Sequence, residues 1–173
     1  MSIIFKDENE SWQIDFSAAI WATDKLHETF SLVKGSLLSD VDFVAETEDF
    51  VLFVESKNSN FKEAKNAFNP IDNEKVKSVA RKYYDSSVYV RSLIKDRRKR
   101  KIYIYLLEMR NGDSVLRKRV RNRLKDILPF KLQRDTALYE KMIDDFDVLS
   151  FEEWNKRFKQ FPARRLKKAL TDN

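Results

Sequence analysis

The chain has 173 residues, 42% hydrophobic, 36% charged and 13% aromatic, which is long enough to bury a sizeable core and too aromatic for a disordered segment. It has no cysteine, which excludes disulfides and thiolate metal sites, and no apolar stretch approaches the ~20 residues that span a bilayer. A net charge of +6 conceals an asymmetry: residues 1–90 carry 10 Lys/Arg against 16 Asp/Glu, net −6, and residues 91–173 carry 24 against 12, net +12.

A basic half beside an acidic half suits an anionic partner gripped by one face and a cation held by acids on another. The N-terminal residues lack a basic flank followed by an apolar run, so the reading is of a cytoplasmic, single-domain protein without a signal peptide. Two glycines and three prolines favour long regular elements over elaborate loops.

In chain order, residues 3–5 and 12–16 form an apolar lead-in, as a hairpin or a strand laid on the core. Ser17 opens a helical pattern in which Ala19, Ile20, Thr23, Leu26 and Phe30 make one buried stripe. Residues 41–45 and 50–54 alternate as strands joined by a short acidic link, as in an antiparallel hairpin. Asn69 and Pro70 begin a helix running to about Lys95 that buries Val76, Val79, Tyr83, Val90 and Ile94. Residues 102–107 are apolar on both faces, as in a central strand. Asn111-Gly112 reads as a turn, and Asp113 or Ser114 caps a helix with Leu116, Val120, Leu124 and Ile127 inside and its arginines and lysines outside. A short helix is expected over residues 136–143 and an edge strand at Val148-Leu149. A Ser150–Glu153 capping box then opens a helix whose aromatic stripe, Phe151, Trp154, Phe158 and Phe161, belongs to the core. Mixed strands with helices on both faces describe a three-layer α/β domain.

The chemistry gathers in residues 39–58. Charged groups inside a sheet are costly unless they are paired or hold a cation, yet Asp40, Asp42, Glu55 and Lys57 punctuate strands otherwise made of Val, Phe and Leu. Side chains alternate with period two along a strand. Asp40, Asp42 and Val44 therefore share one face of the first strand, and Val51, Phe53, Glu55 and Lys57 share one face of the second. Any register that pairs an even-numbered residue with an odd-numbered one sets all four polar groups on the same side. Paired carboxylates suit Mg²⁺ or Mn²⁺, and a neighbouring lysine can stabilise the charge of a phosphoryl transition state or help to position or deprotonate the attacking water.

An Asp on one strand and Glu-x-Lys on its hairpin partner, set between helices, resembles the PD-(D/E)XK nuclease superfamily, which includes restriction endonucleases and Holliday junction resolvases. The resemblance implies an α/β, three-layer restriction-endonuclease-like core (αβββαβ, a mixed sheet flanked by helices) over about residues 17–109. A helical, basic extension would follow over about residues 110–173. It implies further that Asp42 and Glu55 ligate Mg²⁺ or Mn²⁺ with the Ser56 backbone carbonyl, and that Lys57 is the catalytic lysine. Glu28 matches an acid that some members add from the first helix. Ser39-Asp40 stands where the family name has Pro-Asp, so either Asp40 or Asp42 is the ligand; Asp42 is preferred because it lies within the apolar strand. His27 matches a helix histidine that some viral cap-snatching endonucleases use for manganese, although a structural histidine is the simpler reading.

Residues 91–125 carry 14 Lys/Arg against three acids, net +11. Arg97, Arg98, Lys99 and Arg100 in a turn and Arg117, Arg119, Arg121 and Arg123 on a helix face are the candidates for binding nucleic acid through its backbone, since no base-reading motif is present; solvated helix faces explain the same charges more blandly. The expectation is a Mg²⁺/Mn²⁺-dependent nuclease acting on DNA in preference to RNA. The alternative is an inactive nuclease fold serving as a nucleic-acid-binding or protein-interaction module. The resemblance also allows a homodimer, without an interface signature in the sequence.

Overall fold

The computed structural model describes residues 2–7, 9–58, 69–109 and 114–166. The hairpin read from residues 39–58 is present: β4 (Phe43–Glu46) pairs antiparallel with β5 (Phe50–Asn58), Phe43 facing Val54 and Val44 facing Phe53. It forms the middle of a five-stranded mixed sheet in the order β3-β4-β5-β6-β7, with β3 (Trp21–Thr23) on one edge and β7 (Asp145–Leu149) on the other. Strand β6 (Arg100–Glu108) runs parallel to both β5 and β7. The crossovers are helical, as parallel pairing requires: α2 (Asn73–Leu93) connects β5 to β6, and α3 (Ser114–Ile127) with α4 (Phe130–Asp135) connects β6 to β7. No helix among the described residues is long and apolar enough to cross a membrane.

The two-faced apolar run in β6 explains the layering. Tyr103, Tyr105 and Leu107 join Val44, Val51 and Phe53 under α2 and α3, while Ile102, Ile104 and Leu106 join Phe43, Ala45, Leu52 and Val54 on the opposite face. That second face is covered by a small sheet as well as by a helix. Strands β1 (Ile4–Lys6) and β2 (Trp12–Asp15) form a hairpin, and β8 (Ala163–Arg165) pairs with β2, bringing Trp12, Ile14 and Ala163 onto the core. Helix α5 (Phe151–Arg157) adds Phe151 and Trp154, and the residues after it add Phe158 and Phe161. It starts at the expected capping box, in which the Ser150 and Glu153 side chains each accept from the other's backbone N–H.

Several elements differ from the sequence reading, each for a local reason. The helix expected from Ser17 is replaced by a turn, by β3 and by the five-residue α1 (Leu26–Phe30). Trp21, Ala22 and Thr23 pair with Glu46, Ala45 and Val44 instead, so edge pairing of aromatic and β-branched residues overrides the helical spacing. Ile20, expected inside, is 55% exposed, whereas Leu26 and Phe30 are buried. Helix α2 is capped by Asp72, whose side chain accepts from the backbone N–H groups of Glu74 and Lys75; Asn69 only supports the turn before it. No helix forms over residues 136–143, because the helical turn comes earlier, directly after Pro129. Gln133 then holds the following segment by accepting from the Met142 and Ile143 N–H groups and donating to the Ile143 carbonyl. The turn read at Asn111-Gly112 lies outside the described residues.

Candidate active site

The core row formed by Val44, Val51 and Phe53 turns polar at one end of the sheet. The β4–β5 register, continued by one residue beyond Phe43–Val54, sets Asp42 across from Glu55, and alternation puts Lys57 on the same face. This even–odd register meets the condition on which the clustering of the polar groups depends. Asp40, Asp42, Glu55, Ser56 and Lys57 line one cleft of about 610 Å³, which Lys6 at the end of β1 and Asp7 and Asn9 after it also line.

Helix α2 fixes the near wall. Lys82, Asp85 and Ser86 stand three and four residues apart, so they share one helix face. Asp85 accepts from the Ser39 N–H at 2.8 Å and Ser86 Oγ accepts from the Val41 N–H at 3.0 Å, which anchors the segment carrying Asp40 and Asp42. Lys82 Nζ donates to both Glu55 oxygens, at 2.8 and 3.0 Å. Asp42 Oδ2 in turn accepts from the Ser56 backbone N–H at 2.8 Å and from Ser56 Oγ. The acid on one strand is thereby oriented by the residue between Glu55 and Lys57 on the other.

Glu55 is buried, only 7% exposed, on a face that also carries Asp42. Burial pushes its carboxyl up to about 8, the Asp42 charge adds to the push, and the Lys82 ammonium opposes it without cancelling it. For Lys82, burial disfavours the charge but the Glu55, Asp42 and Asp40 carboxylates outweigh it, so the ammonium is held above its ordinary value. Tyr105, the register neighbour of Glu55 on β6, is also pushed up by burial and then by the Glu55 charge, and stays a neutral phenol.

The other expected residues are distributed unevenly. His27 lines the cleft rim, 80% exposed in its side chain, with Nδ1 3.3 Å from Asp40 Oδ1. Glu28 does not reach the cleft; its exposed carboxylate pairs with Lys25 at 3.0 Å, because α1 is one short turn rather than the first helix of the expected core. Arg97, Arg98, Lys99 and Arg100 lie at the opposite end of the sheet. Arg100 faces Phe50 and Glu108 faces Asn58 in the β5–β6 register, a span of eight residues or roughly 26 Å. Lys99 is bound to Glu46 and to the Thr47 carbonyl, both at 2.7 Å, and Arg98 to Asp96.

The face of α3 expected to be free is largely engaged. Arg117 is buried against Glu153, Arg121 pairs with Asp147, and Arg123 donates to the Ile71 carbonyl and to Asn73; Arg119 alone of these four is exposed. Helical spacing accounts for the inward turn, since Arg117 lies three residues before Val120 and seven before Leu124, both fully buried.

Sequence reasoning missed Lys82 and the β1–β2 wall. Lys82 carried a signal, standing three residues after Val79 and four before Ser86 on the flank of the buried stripe of α2. The wall carried none, because only tertiary packing brings Lys6, Asp7 and Asn9 to the cleft. Among the described residues, no group of three or more His, Asp or Glu side chains is arranged to hold a metal ion by side chains alone. Compared with protein-family models, curated proteins and solved structures, the chain matches none of them.

Proposed function

We propose that the chain is a Mg²⁺- or Mn²⁺-dependent nuclease of the PD-(D/E)XK type, with β3, β4, β5, α2 and β6 as its restriction-endonuclease-like core and Asp42, Glu55 and Lys57 as its catalytic set. The observation that carries this reading is the buried Glu55 carboxylate facing Asp42, with Lys57 two residues on in the same cleft. Two acids crowded on one face at the end of an apolar row repel each other, and a divalent cation relieves that repulsion. The donor set fits such an ion: Mg²⁺ is commonly held by one or two carboxylates with waters and substrate phosphate completing its shell. Asp42, Glu55 and the Ser56 carbonyl would hold it.

The metal, when bound, would offset charge on the scissile phosphate and lower the pKa of an attacking water. The chain's own residues do the rest. Ser56 fixes the orientation of Asp42 through two hydrogen bonds. Burial keeps water from competing for Glu55. The Lys57 ammonium, exposed at the mouth, stabilises negative charge on the phosphoryl oxygens as the water–phosphorus bond forms and the ester bond breaks. DNA is the favoured substrate, bound through its backbone.

The test incubates the protein with supercoiled plasmid, single-stranded DNA and RNA in Mn²⁺, Mg²⁺ or EDTA, beside Asp42→Ala and Lys57→Ala. Cleavage by the wild type in Mn²⁺ or Mg²⁺, absent in EDTA and reduced at least about a hundredfold in both variants, supports the reading. No cleavage of any substrate by the wild type would leave a binding module as the better account.

A further inference from the structure

Lys82 belongs to no part of the expected catalytic set, yet it makes a two-oxygen ionic contact with Glu55 inside the cleft. Its Nζ donates to both oxygens of Glu55, at 2.8 and 3.0 Å, and its side chain is 28% exposed against 10% for that of Glu55. The ammonium thus sits between the buried carboxylate and the solvent side of the cleft. Its position is not adjustable by rotating the helix, because Asp85 and Ser86 on the same face are bonded to the Ser39 and Val41 N–H groups. The same helix face therefore clamps the segment leading into β4, which carries Asp42, and delivers a cation onto Glu55.

We infer that Lys82 is a built-in counter-cation of Glu55, which a divalent ion must displace, so that Lys82 sets the metal affinity of the cleft. The inference rests on the proposed metal site. Without an ion the ammonium satisfies a carboxylate that would otherwise be buried and unpaired, which is costly. With an ion held by Glu55, the displaced Lys82 ammonium would be left to pair with a phosphate oxygen at the mouth. Lys82 is a positioning residue in this account, distinct from Lys57. The arrangement also selects against monovalent ions, since one charge exchanged for another gains nothing.

The experiment measures Mn²⁺ affinity by isothermal titration calorimetry at pH 8 for the wild type, Lys82→Met and Lys82→Arg, with thermal unfolding in EDTA recorded alongside. Removing one positive charge within a few ångströms of a divalent ion strengthens binding by at least about tenfold even at a water-like dielectric. After correction for the protons released on binding, read from titrations in two buffers, Lys82→Met is expected to bind Mn²⁺ at least about tenfold more tightly than the wild type, and Lys82→Arg, which keeps the charge, within about threefold of it. A purely structural lysine would lower the unfolding temperature of Lys82→Met without tightening Mn²⁺ binding, and equal or weaker binding overturns the inference while leaving the metal site intact. Absence of Mn²⁺ binding by every protein, the wild type included, overturns both. Should Lys82→Met fail to fold by circular dichroism, Lys82→Gln carries the same comparison with the same expected tightening.

Discussion

Replacing Glu55 with glutamine should make the metal-free protein more stable in alkali and unable to use a metal. The carboxyl titrates near 8 in the folded chain against an ordinary value of 4.5. Between those values the folded state binds a proton that the unfolded state has released, so stability falls as the pH rises through the window and the loss is complete above about 8. At ~1.4 kcal/mol per pH unit the interval sets a ceiling of about 5 kcal/mol. Glu55 is only 7% exposed, so solvent does little to screen the effect. That value already includes the opposing Lys82 ammonium, so the loss of this partner in the variant is part of the same balance. The net expectation for Glu55→Gln is several kcal/mol of added stability at pH 9, up to about 5 kcal/mol, shrinking to less than about 1 kcal/mol at pH 5. Urea denaturation in EDTA at pH 5, 7 and 9 measures it directly. A stability difference independent of pH, or a variant less stable than the wild type at pH 9, would refute the claim that Glu55 is held in an environment hostile to its charge.

Three further outcomes follow from the same geometry. Mn²⁺ at a hundredfold excess over its dissociation constant should stabilise the wild type by about 2.7 kcal/mol in thermal unfolding, and the gain should vanish in Asp42→Asn. Ser86→Ala leaves the buried Val41 N–H without its acceptor and should destabilise the fold by about 1–3 kcal/mol in urea, while loosening the segment that carries Asp42. Arg117→Ala should destabilise the protein measurably through the loss of its buried contact with Glu153, whereas Arg119→Ala should leave stability within about 0.5 kcal/mol and weaken DNA binding at low salt in a gel-shift or anisotropy titration.

The parts of this molecule legible in the sequence are those governed by short periods. Alternation in residues 41–45 and 50–54 is local, so the sequence shows the hairpin and the condition under which Asp42, Glu55 and Lys57 cluster, while the register that meets the condition is set by the fold. The same holds for β6, whose apolar residues on both faces match its place between two parallel partners, and for the capping box at Ser150. The stretch around Trp21 was misread because its helical spacing is real, and only β4, some twenty residues away, supplies the pairing that overrides it. Arg117 was legible by spacing with Val120 and Leu124, but its charge argued for the surface; its partner Glu153 lies 36 residues on. Lys82 meets Glu55 across 27 residues, and β2 meets β8 across the length of the chain; spacing sets Lys82 beside the buried stripe of α2 but names neither partner. The basic residues illustrate the same limit. Composition shows how many there are, while the ion pairs with Glu46, Glu153 and Asp147 engage Lys99, Arg117 and Arg121 and leave Arg97, Arg98, Arg100 and Arg119 exposed.

The account depends most on Asp42 and Glu55 holding one divalent ion between them. A crystal soaked in Mn²⁺ and measured at a wavelength that gives an anomalous signal from manganese tests this directly. The predicted result is a single strong anomalous peak in the cleft, roughly 2.0–2.3 Å from oxygens of both Asp42 and Glu55, with the Lys82 ammonium moved off Glu55. A saturated soak with no peak between these carboxylates, and with Lys82 still bonded to both Glu55 oxygens, would contradict it.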